Sequence, residues 1–277
     1  MERAILVNVA TTKAEKEGAE ESLGELAGLA AAAGAEVAGR VCQVRPRLSP
    51  RWLVGEGKVK EIAREAREAR ADMVIFDRNL NASQQQNLED EIKVKVLDRT
   101  QLILDIFAQR ARTNEGKLQV ELAQLVYRLP RLRGKGLSLT QQGAGIGTRG
   151  PGEKKLEVDR RRITDRITRL KRDIDGLGKR RSSQRQSRRG SPVPSVSLVG
   201  DNSAGKSTLF NRLAEERRYT SPNLFSTLDP LLRRVTWPDG AHFFLSDTVG
   251  FIRKLPVELV TSFRATLEEV GEADCIC

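Results

Sequence analysis

Residues Gly200, Asp201, Asn202, Ser203, Ala204, Gly205, Lys206 and Ser207 spell GxxxxGK[ST]. The pattern constrains the fold because it needs one setting: a strand that delivers the chain into a glycine-bearing turn, and a helix that leaves it. The flanks supply both. Ser195-Val-Ser-Leu-Val199 is a short β-forming apolar run, and the stretch from Thr208 to Ala214 carries a helical pattern. In such a loop the backbone N–H groups wrap phosphate oxygens at the positive end of the helix. Lys206 then reaches the β- and γ-phosphates and Ser207 is a Mg²⁺ ligand. A glycine-rich turn that binds nothing is the alternative, and the flanking strand and helix weigh against it.

Two further segments extend the pattern. Phe225, Ser226 and Thr227 lie in Asn223-Leu-Phe-Ser-Thr-Leu-Asp-Pro230, and residues 241–246 read as a strand that ends in Asp247, Thr248, Val249 and Gly250. In P-loop proteins an Asp at the end of such a strand holds Mg²⁺, often through water. The glycine after it gives a backbone N–H to the γ-phosphate, and a threonine between the two motifs, here Thr227, closes over the metal. Three parts in the right order are a far more specific signal than one motif.

The chain has 277 residues and a net charge of +11, from 48 Lys and Arg against 37 Asp and Glu. Two domains fit that length, and three are possible. The basic excess points to a polyanionic partner such as nucleic acid. Only 4% of residues are aromatic, so base-stacking platforms are scarce. Cys42, Cys275 and Cys277 lack partners at metal-ligand spacing, because His242 is the only histidine. Sparse, unpaired cysteines suit a reducing cytosol. No apolar run approaches a membrane span, and Met1 runs straight into a strand pattern, so a cytoplasmic location is expected.

Residues 1–99 alternate strand signals (4–9, 36–44, 73–76, 94–97) with helical ones (13–33, 58–71, 83–92). Such alternation predicts a small parallel α/β domain, placed at 1–112. Val54-Gly-Glu-Gly-Lys58 precedes a helix and reads equally as an anion-holding turn or a helix entry. From Gln101 the pattern is helical. Leu118, Leu122, Leu125, Leu129 and Leu132 form one heptad seam, and Ile163, Ile167, Leu170, Ile174 and Leu177 form another. Each is too short for a free coiled coil, so an antiparallel hairpin over 113–190 is expected.

Between the seams, residues 134–152 carry seven glycines. A loop this long without a core-facing pattern is functional or disordered. Its glycine spacing is not that of a dinucleotide fingerprint. With Lys135 and Arg149 it reads as a nucleic-acid contact or as a flexible linker. Lys154, Lys155, Arg160, Arg161 and Arg162 follow, then a basic stretch at 179–189 that reads as a linker. Residues 149–189 hold sixteen basic and six acidic side chains, about +10, nearly all the net charge of the chain. Gly190-Ser-Pro-Val-Pro194 punctuates the boundary to a P-loop domain at 191–277.

The chain strongly resembles the HflX family of ribosome-associated GTPases over essentially its whole length. The residues that carry the resemblance are Gly134-Lys-Gly-Leu-Ser138, Gly150-Pro-Gly-Glu-Lys-Lys-Leu-Glu-Val-Asp-Arg160, Gly200 to Thr208, Phe225-Ser-Thr-Leu-Asp-Pro230 and Asp247-Thr-Val-Gly-Phe-Ile-Arg253. The resemblance implies a monomeric GTPase that uses Mg²⁺ and GTP, with Lys206, Thr227 and Gly250 in catalytic roles and Ser207 and Thr227 on the metal. The nucleotide site it implies comprises residues 200–208, 225–227 and 247–250. It implies that the N-terminal domain and hairpin tip engage the large ribosomal subunit, with a role in splitting or rescuing stalled ribosomes. Some members are reported to bind ATP through the N-terminal part.

The sequence departs from the family pattern at three points. Asp201, Asn202 and Ser203 stand where Tyr-Thr-Asn is usual, which bears on monovalent-cation assistance. The Asn-Lys-x-Asp motif that reads guanine does not occur among these residues, so guanine preference rests on the resemblance. Phe251 follows Gly250 where Ras-like proteins carry a water-orienting Gln; Phe is normal in this family and implies slow intrinsic hydrolysis that the bound partner accelerates. Two other readings compete: an RNA-binding module without turnover, and an ATP-driven RNA remodelling enzyme.

Overall fold

The structure is a computed structural model. It describes residues 1–132, 151–189, 193–215, 225, 231–237, 239–254, 270–271 and 273–277, and within residues 151–189 the side chains of 157–179 and 183. The described chain falls into two compact units. Met1–Ile106 with Tyr127–Thr164 form one, and Phe107–Val126 with Asp165–Cys277 form the other.

The first unit is built on an all-parallel sheet in the order β2-β1-β3-β4, from β1 (Glu2–Ala10), β2 (Ala35–Val44), β3 (Met73–Phe76) and β4 (Lys95–Asp98). Both faces are covered, which is why β3 reads as an unbroken apolar run. Along β1 the period of two sends Ile5, Val7 and Val9 to one face. There they meet Val59, Ile62 and Ala63 of α3 (Glu56–Glu68) and Leu88 and Ile92 of α4 (Ala82–Ile92). Ahead of them in the chain, α1 (Lys13–Glu17) and α2 (Ala19–Ala32) are separated at Gly18, where one helix was expected. Asn81 opens α4 with a reciprocal capping box to Gln84; such a box satisfies two helix-end donors at once.

Charged groups inside this unit are paired. Arg99, 2% exposed, bridges Asp77 at 2.8 Å and Glu25 at 2.7 Å. Asp98, at the end of β4, accepts from the Leu80 and Gln101 N–H groups, from the Tyr127 hydroxyl at 2.6 Å and from Arg131 at 3.2 Å. The Arg131 guanidinium also stacks over the Tyr127 ring at 3.4 Å.

Two further helices begin beyond β4: α5 (Arg99–Arg110) and α6 (Asn114–Arg128), the latter followed by a 3₁₀ turn at Leu129–Arg131. Then α7 (Pro151–Arg189) runs for 39 residues. The expected linker at 179–189 is the end of this helix. The stretch contains no Gly or Pro, and Lys, Arg and Gln are good helix formers. Helix α7 also begins two residues earlier than the expected loop allows, at Pro151, an N-terminal position where Pro is tolerated. Its seam is as expected, with Ile167 and Leu170 buried. On α6 the buried positions are Gly116, Gln119, Val120, Ala123 and Tyr127, while Leu118, Leu122 and Leu125 are half-buried. The packed face therefore runs through residues other than the leucines, which flank it. Arg166 of α7 forks onto Glu121 of α6 through two 2.7 Å bonds. The rest of the glycine-rich stretch, with Lys135 and Arg149, lies outside the described residues.

The second unit also carries a sheet in the order β6-β7-β5-β8, from β5 (Ser195–Leu198), β6 (Leu231–Thr236), β7 (His242–Asp247) and β8 (Cys275–Ile276). β5 is parallel to β7 and β8, and β6 is antiparallel to β7. The helix after β5 is α8 (Lys206–Leu213), whose Phe210 packs with Leu198, Val235 and Leu245.

Candidate nucleotide site

The site lies at the carboxyl ends of β5 and β7, which run side by side and in parallel, with Leu198 opposite Asp247. Open α/β sheets bind ligands at this end. Leaving β5, the chain turns at Gly200 (φ +153°) and again at Gly205 (φ +90°), conformations that exclude most side chains. Ser203 also takes a positive φ, +63°, which is uncommon for a residue with a Cβ. Gly205 caps α8, and Lys206 begins it. The loop therefore presents backbone N–H groups at a helix N-terminus, as the motif requires.

The Lys206 ammonium lies over the loop and donates to the Gly200 carbonyl at 3.0 Å and the Asp201 carbonyl at 2.6 Å. Burial holds its pKa below the ordinary lysine value, and the nearby Asp247 and Asp201 carboxylates offset only part of that. A partly desolvated cation of this kind favours an arriving anion. At the next residue, the Ser207 hydroxyl donates to Asp247 Oδ2 at 2.7 Å. Asp247 is 1% exposed, and the next residue, Thr248, donates its hydroxyl to the Leu198 carbonyl at 2.6 Å. That bond ties the end of β7 to the end of β5 and fixes Asp247 against Ser207. A hydroxyl and a carboxylate converging at this spacing are hard oxygen donors of the type Mg²⁺ takes.

Beyond Thr248 the chain passes half-buried Val249 and returns against the loop. Phe251 donates its N–H to the Gly200 carbonyl at 3.0 Å, and the Phe251 carbonyl accepts from the Asn202 N–H at 3.1 Å. Gly250 is pressed so closely to Asn202 that a Cβ on it would stand 2.5 Å from Asn202 Oδ1. Only glycine fits that approach. The Asn202 carboxamide bonds the carbonyls of Gly250 and Phe251 and accepts from the Phe225 N–H.

Of the residues read from the sequence, the structure thus brings together Gly200 through Ser207, Asp247, Thr248 and Gly250, with Phe225 joined through Asn202. Asp201, Ser203, Ala204, Gly205 and Thr208 are exposed, and Asp201 enters the polar network through its carbonyl. Ser226 and Thr227 lie outside the described residues. Lys154 and Lys155 fall on the first turns of α7, with side chains outside the description, and Arg160, Arg161 and Arg162 are exposed along it. Sequence reasoning missed Phe107, whose ring packs edge-on against Phe225 with centroids 4.6 Å apart. No spacing rule pairs two aromatics this far apart in the chain.

Family models cover almost the whole sequence: the N-terminal region of GTP-binding GTPases over residues 20–108, their middle region over 110–188, and a 50S ribosome-binding GTPase over 195–277. A protein described as GTPase HflX from Caldanaerobacter subterraneus subsp. tengcongensis is 50% identical over 275 residues, 99% of this chain and 63% of that relative. GTPase HflX of Escherichia coli K12 is 48% identical over 272 residues, 98% of this chain and 63% of that relative. The chain belongs to the HflX family. It spans just under two thirds of the length of these HflX relatives. Among solved structures, a complex of SsGBP with GDP aligns over the whole chain and 71% of its own, with a TM-score of 0.57 and 25% identity. A GTP-binding protein from Sulfolobus solfataricus in complex with GDP aligns with a TM-score of 0.53 and 24% identity, covering 100% of this chain and 70% of its own. The second likeness concerns the fold alone. Among the described residues no helix is long and apolar enough to cross a membrane.

Proposed function

We propose that the protein binds GTP through the loop at 200–207 and hydrolyses its γ-phosphate, and that it does so in association with the large ribosomal subunit, splitting or rescuing stalled ribosomes. The observation that carries the nucleotide reading is the convergence of Lys206, the Ser207–Asp247 pair and Gly250 around one glycine-bearing turn. Membership of the HflX family and the match of residues 195–277 to a 50S ribosome-binding GTPase family support the partner.

Phosphoryl transfer needs positioning and charge stabilisation more than covalent help. Lys206 neutralises the β- and γ-phosphates from its place over the loop, and the loop N–H groups and that of Gly250 donate to their oxygens. Ser207 and Asp247, with Thr227, would hold Mg²⁺, which would supply charge neutralisation at the phosphates. Phe251 offers no polar group to orient the attacking water, which fits slow turnover until a partner completes the site.

The test is calorimetric titration of Mg²⁺-GTP into the protein and into Lys206→Ala. Loss of measurable binding in the variant is the expected result, because the main cation at the phosphates is gone. Unchanged affinity would sink the assignment. Ser207→Ala should remove the Mg²⁺ dependence of binding while leaving Mg²⁺-free affinity close to wild type.

A further inference from the structure

Asn202 occupies a place in the loop from which one side chain reaches both segments expected to respond to the third phosphate. Its Nδ2 donates to the Gly250 carbonyl at 3.2 Å and to the Phe251 carbonyl at 3.0 Å. Its Oδ1 accepts from the Phe225 N–H at 3.1 Å. Donors face acceptors and the acceptor faces a donor, so the amide has one orientation that satisfies all three. There is no slack on the Gly250 side, since a Cβ at Gly250 would also lie 2.9 Å from Asn202 Cα. Gly250 therefore cannot shift toward the loop without displacing Asn202.

On the other side, Phe225 is 1% exposed and holds a φ of +58°. That backbone is costly for a bulky residue and persists only where its surroundings impose it. Two contacts impose it: the amide bond to Asn202 and the edge-to-face packing on Phe107 at an interplanar angle of 76°. Phe107 lies on α5 and is itself fully buried. The path from Gly250 to α5 is thus continuous in bonded and packed groups.

We infer that Asn202 is a positioning residue that couples Gly250 to Phe225 and, through it, to Phe107, so that a triphosphate and a diphosphate in this site leave α5 in different states. The inference rests on the nucleotide reading above. A γ-phosphate accepting from the Gly250 N–H pulls on the segment whose carbonyls Asn202 holds. Asn202 passes that displacement to the Phe225 amide, and the ring passes it to α5. A diphosphate reaches the loop N–H groups and Lys206 and leaves Gly250 alone.

Amide hydrogen exchange over residues 99–110 and at Phe225, with Mg²⁺-GTPγS or Mg²⁺-GDP at millimolar concentration, tests this in the wild-type chain, Asn202→Ala and Phe107→Leu. In wild type, exchange in α5 should differ by about ten-fold between the two nucleotides, the effect of one or two hydrogen bonds. Asn202→Ala should lose about ten-fold more GTPγS affinity than GDP affinity and, with each nucleotide at saturation, show the same α5 exchange with both. Phe107→Leu removes the ring, keeps an apolar side chain and lies away from the loop; it should keep both affinities and lose the α5 difference. Survival of that difference in Asn202→Ala, or equal loss of GDP and GTPγS affinity, overturns the inference. Should wild type bind neither nucleotide, the proposed function falls and the coupling falls with it. That outcome is recognisable because ligand-free wild type would still protect the Phe225 amide relative to Asn202→Ala.

Discussion

Lys206 binds its proton less tightly than an ordinary lysine because burial strips water from the ammonium. Over the pH range where the ammonium stays charged, this cost opposes folding, and a bound phosphate relieves it. Glu15 is the opposite case. Hydrogen bonds from the Thr11 N–H and hydroxyl, with Arg78 beside it, hold its pKa at about 2. A depressed carboxylate stabilises the fold above its unfolded value and loses that contribution as pH falls toward the folded one. Glu15→Gln should therefore lower the melting temperature at pH 7 and leave it nearly unchanged at pH 2, with the difference closing below about pH 4.5; thermal denaturation at several pH values checks it. At the nucleotide site, Gly250→Ala places a methyl against the Asn202 side chain at 2.5 Å and its Cα at 2.9 Å. Overpacking of this kind costs about 1–3 kcal/mol. The double variant Gly250→Ala, Asn202→Ala should recover only part of it in urea denaturation, because the backbone contact remains.

At the scale of elements, the strands of the first unit and the loop from β5 into α8 were legible in the sequence because each is written in local terms. β3 is four buried apolar residues in a row, and Gly200 and Gly205 mark the turns that need them. What stayed illegible depends on distant partners. The packed face of α6 runs through Gln119, Val120 and Ala123, which a leucine-based seam does not pick out. The end of α7 looked like a linker because its charge density hid good helix propensity. Asn202 is polar in a polar loop, and only the return of residues 250–251 gives it three partners. Arg99 likewise opens α5 as an ordinary basic residue, and the fold buries it between Asp77 and Glu25. Removing one partner of a buried ion pair costs about 3–5 kcal/mol. Arg99→Ala should therefore lower the urea midpoint of the first unit steeply, whereas Arg64→Ala, whose ion pair with Glu68 is exposed, should change it little.

Across the whole molecule the charge is concentrated in one stretch. Residues 149–189 hold about +10 of the +11 total, and Arg160, Arg161 and Arg162 are exposed. Each phosphate neutralised releases condensed counterion, so binding to ribosomal RNA should fall steeply with salt. Changing these three arginines to Gln should flatten the salt slope by about one unit per lost contact at most. Deleting residues 136–149 should weaken binding further, as expected if the glycine-rich stretch enters a shaped RNA pocket. Sedimentation with large ribosomal subunits across a salt series reads both, and wild-type binding by the deletion variant would refute the tip's role. The Arg166 guanidinium, held by Glu121, should contribute less than its neighbours on the same helix.

Asp98 carries a consequence for how the chain is made. Its carboxylate closes the first unit by accepting from Tyr127, 29 residues downstream. At about 5–20 residues per second, synthesis separates the two by roughly 1.5–6 s. Between the emergence of Asp98 and that of Tyr127, β4 can pair and Leu80 and Gln101 can reach the carboxylate, but the Tyr127 hydroxyl and Arg131 have not yet emerged. A nascent chain whose emerged part ends between residues 101 and 126 therefore holds a nearly complete parallel sheet with an unsealed acidic edge. Protease resistance of that sheet should rise in a single late step, when residues 127–131 emerge.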